Sequence, residues 1–491
     1  MALFRKHPKG LAVLFFSEMW ERFCYYGMRG LLALYLANFL LKNEKESFAI
    51  YAAYTALIYA APVLGGRIAD KILGYKYAVI FGSILMSIGE FMILGGSDNW
   101  LYIGMGALIV GNGLFKANVS TIVGKLYNEN DNRRDSGFTI FYIGINIGAL
   151  LATTVVAEIG MKIGYQYGFA LAGLGMLAGS LIFGFGNKSF ADKITPPNPD
   201  KLYSKVFGPF TQFHLVILGI LATVPVIYIL VRFNQVVGLL LAATAIFVIY
   251  TLLSAGIQGG KVLLHRMIVF IILLLFNVVF WTCFEQAGTS LTFFAERNIN
   301  RMITLPFIGT FEIAAPTTQF FNPFFIMVFG SLFTLMWIWL DKIKKNPNIP
   351  AKFGFAIMQL GLGYLVVRIG SLFAHDYLMP LLTLVFLYLL HTTGELFISP
   401  IGLSMVTKLA PKNLAGTMMG AWFMSWSAAN YLAGSLAKLT GSAESAAARP
   451  ISETYDIYLN VFTKTGLIAF GIGLFLLLIS KPLNKLMHGV K

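Results

Sequence analysis

Long apolar runs separated by short polar loops repeat along the whole chain. Fourteen such runs cover approximately 11–41, 48–70, 77–96, 100–123, 137–160, 164–186, 211–232, 236–257, 267–296, 318–340, 353–374, 377–406, 413–440 and 457–480. A helix of ~20 residues, rising 1.5 Å per residue, crosses ~30 Å of hydrocarbon. The alternation of a barrel strand is missing, and a helix satisfies its own backbone in lipid. The pattern therefore predicts an all-α polytopic membrane protein with fourteen spans. The first run is too long for the core of a signal peptide, lacks a small-residue cleavage site and carries charges. It reads as a retained helix.

Composition supports this. Of 491 residues, 57% are hydrophobic and 12% charged, unlike a soluble globule. The net charge of +15 does not call for nucleic acid, because the basic residues collect in alternate loops. Examples are Arg5, Lys6 and Lys9; Arg67, Lys71 and Lys76; Lys125, Arg133 and Arg134; Lys342, Lys344 and Lys345; Lys408 and Lys412; Lys481, Lys485 and Lys491. The positive-inside rule then puts both termini in the cytoplasm, with the chain in the plasma (inner) membrane. The connector "NKSFADKITPPNPDKLYSK" divides six spans from eight. The seventh and eighth spans are almost uncharged and read as an inserted hairpin. The expected organisation is a six-helix bundle at 1–190, a linker and hairpin at 191–262, and a second six-helix bundle at 263–491. Transporters built from two repeated halves have this arrangement. The two cysteines, Cys24 and Cys283, lie in apolar runs. No disulfide, zinc signature, Walker A loop or nucleophile–base pairing is recognisable, so neither a cofactor nor an enzyme is expected.

Charge inside the spans changes the picture from membrane protein to carrier. In "EMWERFCYYGMRG", Glu18, Arg22, Tyr25 and Tyr26, and Arg29 fall on one helical face, with Glu21 beside it. Such a stripe either neutralises itself and ties helices together or lines a wet cavity. Lys116, Glu285 and Glu395 add charge in other spans, and Asn146 and Asn322 add amides. Cations prevail in the first half and acids in the second. A zwitterion fits that field, its carboxylate gripped by Arg and its ammonium by Glu. Carboxylates in a cavity are also proton carriers. Glu90 and Glu158 read as structural acids.

Several separated motifs resemble the proton-dependent oligopeptide transporters of the major facilitator superfamily. They are Glu18–Gly27 (E-x-x-E-R-F-x-Y-Y-G), "GGRIADKILGYKY", "RDSGFTIFYIGINIG", "FWTCFEQ" and "GELFISPIGLS". The resemblance implies a 6+6 major facilitator fold with two added helices. It implies a proton-coupled symporter that imports di- and tripeptides across the lipid bilayer by alternating access. Arg22 and Lys116 would meet the peptide carboxylate and Glu395 its amine. Tyr26, Tyr59, Asn146 and Asn322 would bond the peptide backbone, and Trp281 and Trp422 would form side-chain pockets. Glu18, Glu21 and Glu285 would couple protons. Arg29 with Glu285, and Lys116 with Glu395, would act as gates. Ala117 stands where the family often has Pro, and the span-two histidine of some members is missing. His391, one turn before Glu395, reads either as a tuning group or as a satisfied core residue. The alternative is a proton-coupled carrier of another small anion or an amphipathic drug on the same fold.

Overall fold

The protein is described here from a computed structural model, which covers residues 4–128, 131, 133–307, 309–411, 414–442 and 449–490. Of the basic residues used for orientation, Lys412 and Lys491 lie outside this range.

Among the described residues, fourteen long helices follow the predicted runs. They are α1 (Gly10–Leu34), α2 (Glu44–Ile68), α3 (Tyr75–Ile93), α4 (Asp98–Lys125), α5 (Arg134–Leu151), α6 (Tyr165–Gly186) and α7 (Gln212–Arg232). The rest are α8 (Gln235–Gln258), α9 (Lys261–Phe284), α10 (Phe321–Lys342), α11 (Ile349–Gly370), α12 (Leu382–Leu409), α13 (Ala415–Ala437) and α14 (Ile451–Leu486). Among the described residues, twelve helices are long and apolar enough to cross a membrane. The two long helices outside that set differ in chemistry. α1 carries Glu18, Glu21, Arg22 and Arg29, while α13 is rich in Gly, Ala, Ser and Trp. Helix runs break where the backbone turns left-handed. Gly74 (φ 76°) precedes α3 and Gly260 (φ 86°) precedes α9, a region that only glycine enters without strain.

The chain divides into two compact units. The first holds residues 1–40 and 53–234. Its interior is built on close backbone approach. α3 meets α4 through Gly82 against Gly111 and Gly89 against Gly104, where an added Cβ would strike the facing carbonyl. Small residues permit such packing where lipid offers no hydrophobic drive. α1 lies against α5 and α6. Gly148 of α5 sits over the Met19 carbonyl and the Arg22 Cβ, and Gly175 and Gly179 of α6 receive Trp20. These contacts fix the azimuth of α1, and with it the direction of its charged side chains. α7 packs on α4, with the Val224 carbonyl above Gly106.

The second unit holds residues 41–52 and 235–491. α11 packs against α14 through Gly361 with Gly466 and Gly354 with Gly473. α9 lies on α13, and α8 packs on both. Between α9 and α10 the chain forms a short helix (Ser290–Asn298) and an antiparallel hairpin, Met302–Leu305 with Gly309–Glu312. A two-residue strand, Ile299–Asn300, pairs in parallel with Met379–Pro380. The first turn of α2 is held here too. Glu44 is fully buried, pairs with Arg297 Nη2 at 2.5 Å, and accepts the Ser442 backbone N–H at 2.8 Å. Arg297 falls just past the ninth apolar run; it lies in the last turn of the Ser290–Asn298 helix and pairs with the buried Glu44. α8 exposes most of its side chains, including Leu239, Ile246, Phe247 and Tyr250, and so does α7 of the first unit, with Leu218 among them.

Candidate functional site

The first unit gathers charge around α1. Arg22 is 3% exposed, Glu18 2% and Glu21 0%. The Arg22 guanidinium donates to both oxygens of Glu21, with Nη2 at 2.6 Å from Oε1. Its Nε lies 3.4 Å from Glu18 Oε1. Asn112 of α4 donates Nδ2 to Glu21 Oε1 at 2.7 Å. The two acids are thus held differently. Glu21 accepts from three donors, whereas Glu18 has one ionic contact and a buried Oε2 with no hydrogen-bond partner. Helical spacing favours Glu18 as the partner of Arg22. The structure brings the adjacent Glu21 closer, because both long side chains bend onto the α4 face and Asn112 anchors the carboxylate there.

Aromatic rings carry the cations outward from this cluster. Lys116 Nζ stands 4.4 Å from the Tyr59 ring centre and 5.8 Å from that of Tyr25. Arg22 lies 5.2 Å from the Tyr25 ring, and Arg29 lies 5.8 Å from Tyr26. Tyr25 meets Tyr26 edge-on at 5.0 Å and Tyr59 at 6.4 Å. Cation–π contacts of this kind draw a cation to the ring face. Lys116, Tyr26 and Tyr59 are half-buried, unlike the enclosed Arg22. Asn146 is 4% exposed and donates Nδ2 to the Tyr142 carbonyl one turn back, at 2.9 Å. It stands apart from the Arg22 hydrogen bonds.

The second unit collects the other predicted residues. Asn322, at the start of α10, donates Nδ2 to Glu395 Oε2 at 2.9 Å and lies 3.1 Å from Thr392 Oγ1. The Asn322–Glu395 pair is half-buried. Glu285 opens the tight turn after α9 and is 3% exposed. Trp281 donates Nε1 to Asn277 Oδ1 at 3.1 Å, and Asn277 donates to Ser425 Oγ at 2.8 Å. The two predicted tryptophans are not brought together. Trp422 is fully buried beside Gly402 and Phe353, whereas Trp426, one turn on, packs on Trp281 at 5.5 Å. His391 is 1% exposed, lies tilted against Tyr364 at 4.8 Å and fills the space left by Gly363, the arrangement of a core residue.

Sequence reasoning missed Asn112, Asn277, Trp426 and the Glu44–Arg297 pair. A polar residue inside an apolar span was the available signal for the two asparagines. Glu158, read as structural, pairs with Lys162 at 2.8 Å.

Fourteen long helices in two units, each with buried charge, define a polytopic membrane protein of the major facilitator fold. A family model described as the POT family matches residues 76–454. The chain belongs to that family. It is 34% identical to the uncharacterized transporter YclF of Bacillus subtilis, over 99% of this chain and 96% of that protein. It is 33% identical to dipeptide and tripeptide permease A of Yersinia pestis, over 98% and 94% of the two chains. A crystal structure of a peptide transporter POT in complex with sulfate superposes with a TM-score of 0.83 at 32% identity, covering 99% of this chain and 97% of that one. A POT family transporter in complex with 5-aminolevulinic acid superposes with a TM-score of 0.80 at 30% identity, covering 98% of each.

Proposed function

We propose that the chain is a proton-coupled symporter that imports di- and tripeptides by alternating access of its bundles at 1–190 and 263–491. The 191–262 linker and hairpin joins them, the membrane is the inner membrane, and both termini are cytoplasmic. The observation that carries this reading is half-buried charge of opposite sign on the two units. Lys116 sits over Tyr59 near Arg22 in one, and Glu395 is held by Asn322 in the other. Arg22 and Lys116 take the peptide carboxylate, and Glu395 takes the ammonium. Tyr26, Tyr59, Asn146 and Asn322 serve the peptide backbone, while Trp281 and Trp422 serve its side chains. Arg29 with Glu285, and Lys116 with Glu395, close the gates. Relatives are named for dipeptides and tripeptides.

Glu18, Glu21 and Glu285 couple the proton. Glu18, with one oxygen buried and unpartnered, has an open position for it, whereas Glu21 is saturated by Arg22 and Asn112. A potential of 100 mV is worth about 2.3 kcal/mol per charge, enough for tens-fold accumulation.

Uptake of a labelled dipeptide into proteoliposomes, with and without an acid-outside gradient, tests the reading. Gradient-driven accumulation is expected. Arg22→Ala abolishes it while the protein still inserts, and full transport by that variant would refute the carboxylate assignment. A second reading, a carrier of small zwitterions without a peptide bond, is favoured by the neighbour solved with 5-aminolevulinic acid. Competition between that compound and a dipeptide separates the two.

A further inference from the structure

Glu90, near the C-terminal end of α3, is an ionisable group that the mechanism above does not use. It is 0% exposed. Its Oε1 accepts the thiol of Cys24 of α1 at 3.4 Å, and its Oε2 is buried with no hydrogen-bond partner. No Lys, Arg or His pairs with it among the described residues. A carboxyl kept inside a membrane bundle without a cation is expensive, and such a group is by default a candidate for proton handling. Packing alone does not account for it. An apolar side chain of similar size would fill the space without leaving an unpartnered oxygen.

Its surroundings tie it to the charged cluster. From α1 it faces Cys24, which lies one turn after Glu21 and two residues after Arg22 on the same helix. From α6 it faces Gly173, whose missing side chain leaves room for the Glu90 Cβ. From α4, Gly104 and Leu108 meet the neighbouring Gly89, and the polar groups further along that helix are Asn112, Lys116, Asn118, Ser120, Thr121 and Lys125. The cations on α1 and α4 are Arg22, Arg29, Lys116 and Lys125, and none of them forms an ion pair with Glu90 among the described residues.

We infer that Glu90 is a second proton-binding carboxyl of the first unit, coupled through Cys24 to the Glu18–Glu21–Arg22 cluster and setting the pH at which that cluster loads its proton. The inference rests on the proposed proton coupling. Two carboxyls that sense each other titrate as a pair. An ionised Glu90 makes protonation of the cluster easier, since like charges disfavour each other. Glu90 acts on transport through the cluster and is a positioning residue.

The test is the pH profile of gradient-driven dipeptide uptake, each variant scaled to its own maximum. Glu90→Gln keeps an acceptor for Cys24 and removes the charge. Its half-maximal pH is expected to move to the acid side by about one unit. A purely structural role would lower the maximum and the thermal midpoint but leave the profile in place. Infrared difference spectra between acid and neutral pH give a second readout, in which a carboxylic C=O band of the wild type is lost in Glu90→Gln. If Glu90→Gln does not accumulate, Glu90→Asp carries the same test, because a displaced carboxyl must also move the profile. Unmoved profiles together with an unchanged infrared band overturn the inference. Failure of the wild type to accumulate dipeptide would instead sink the proposed function, and the infrared readout on Glu90 stands apart from that result.

Discussion

Arg22 shows what a single side chain can and cannot reveal from sequence. That it sits on a polar helical stripe follows from spacing alone. Its tightest partner does not, because adjacent helix positions do not normally face each other and Glu21 is turned by Asn112, 91 positions away in the chain. No periodicity records such a pair. Asn112→Ala removes one of the donors to Glu21 and leaves a buried carboxylate less satisfied. It is expected to cost about 1–3 kcal/mol, read as a lower thermal unfolding midpoint of the purified protein. It should also weaken gradient-driven uptake; an unaltered midpoint would mean that the bond carries no weight. The tryptophans make a related point. Helix composition places Trp422 and Trp426 on one span, and only packing shows that Trp422 fills the space over Gly402 while Trp426 meets Trp281. Outside the spans, Asp131 accepts from the Arg133 side chain and backbone, which holds its carboxyl at about 2. A lowered acid stabilises the fold at pH above its unfolded value of about 4 and loses that contribution as pH falls through about 2. Asp131→Asn is therefore expected to leave the uptake profile unmoved between pH 5 and 8, as a transport assay across that range would show.

Helices were the most legible level. All fourteen apolar runs became long helices, since their length and hydropathy are dictated by hydrocarbon thickness. Irregular turns were not legible. Tyr35–Phe39, Ala69–Leu73 and Ala152–Val156 widen to a π-helical pitch, a local choice that leaves no mark on hydrophobic spacing. The helix Ser290–Asn298 merged in sequence with the ninth run for the same reason. What α1 needs from its neighbours is absence of bulk. Gly148→Ala puts a methyl group into the Met19 carbonyl and the Arg22 Cβ. It should cost about 1–3 kcal/mol by overpacking and displace the guanidinium. Thermal unfolding and dipeptide binding are expected to fall together, and a variant with native stability would show that α1 has room to move.

At the scale of the whole molecule, the expectation of two bundles with an added hairpin came from one basic, proline-containing connector and from two uncharged spans. Which residues each unit recruits was beyond reach, because an apolar stripe says that a face is covered and not by what. The segment 41–52 clusters with the second unit, through the buried Glu44–Arg297 pair and the Ser442 amide. Removing one member of a buried pair strands the other, at a cost of about 3–5 kcal/mol. Glu44→Ala and Arg297→Ala should each lower the thermal midpoint, and the double variant should fall less than the sum of the two. Strict additivity would show that the pair is not coupled.

α7 of the first unit and α8 of the second each touch their own unit along little more than a seam, such as Val224 over Gly106 and Gly238 against Tyr431. In a bilayer the exposed side chains of both helices would face acyl chains, which discriminate poorly among Leu, Ile, Phe and Val. Evolution is consequently free to drift at Leu239, Ile246 and Phe247 while Gly106 and Gly238 stay small. In a comparison of many such carriers, these two helices should show the loosest spelling of the whole chain.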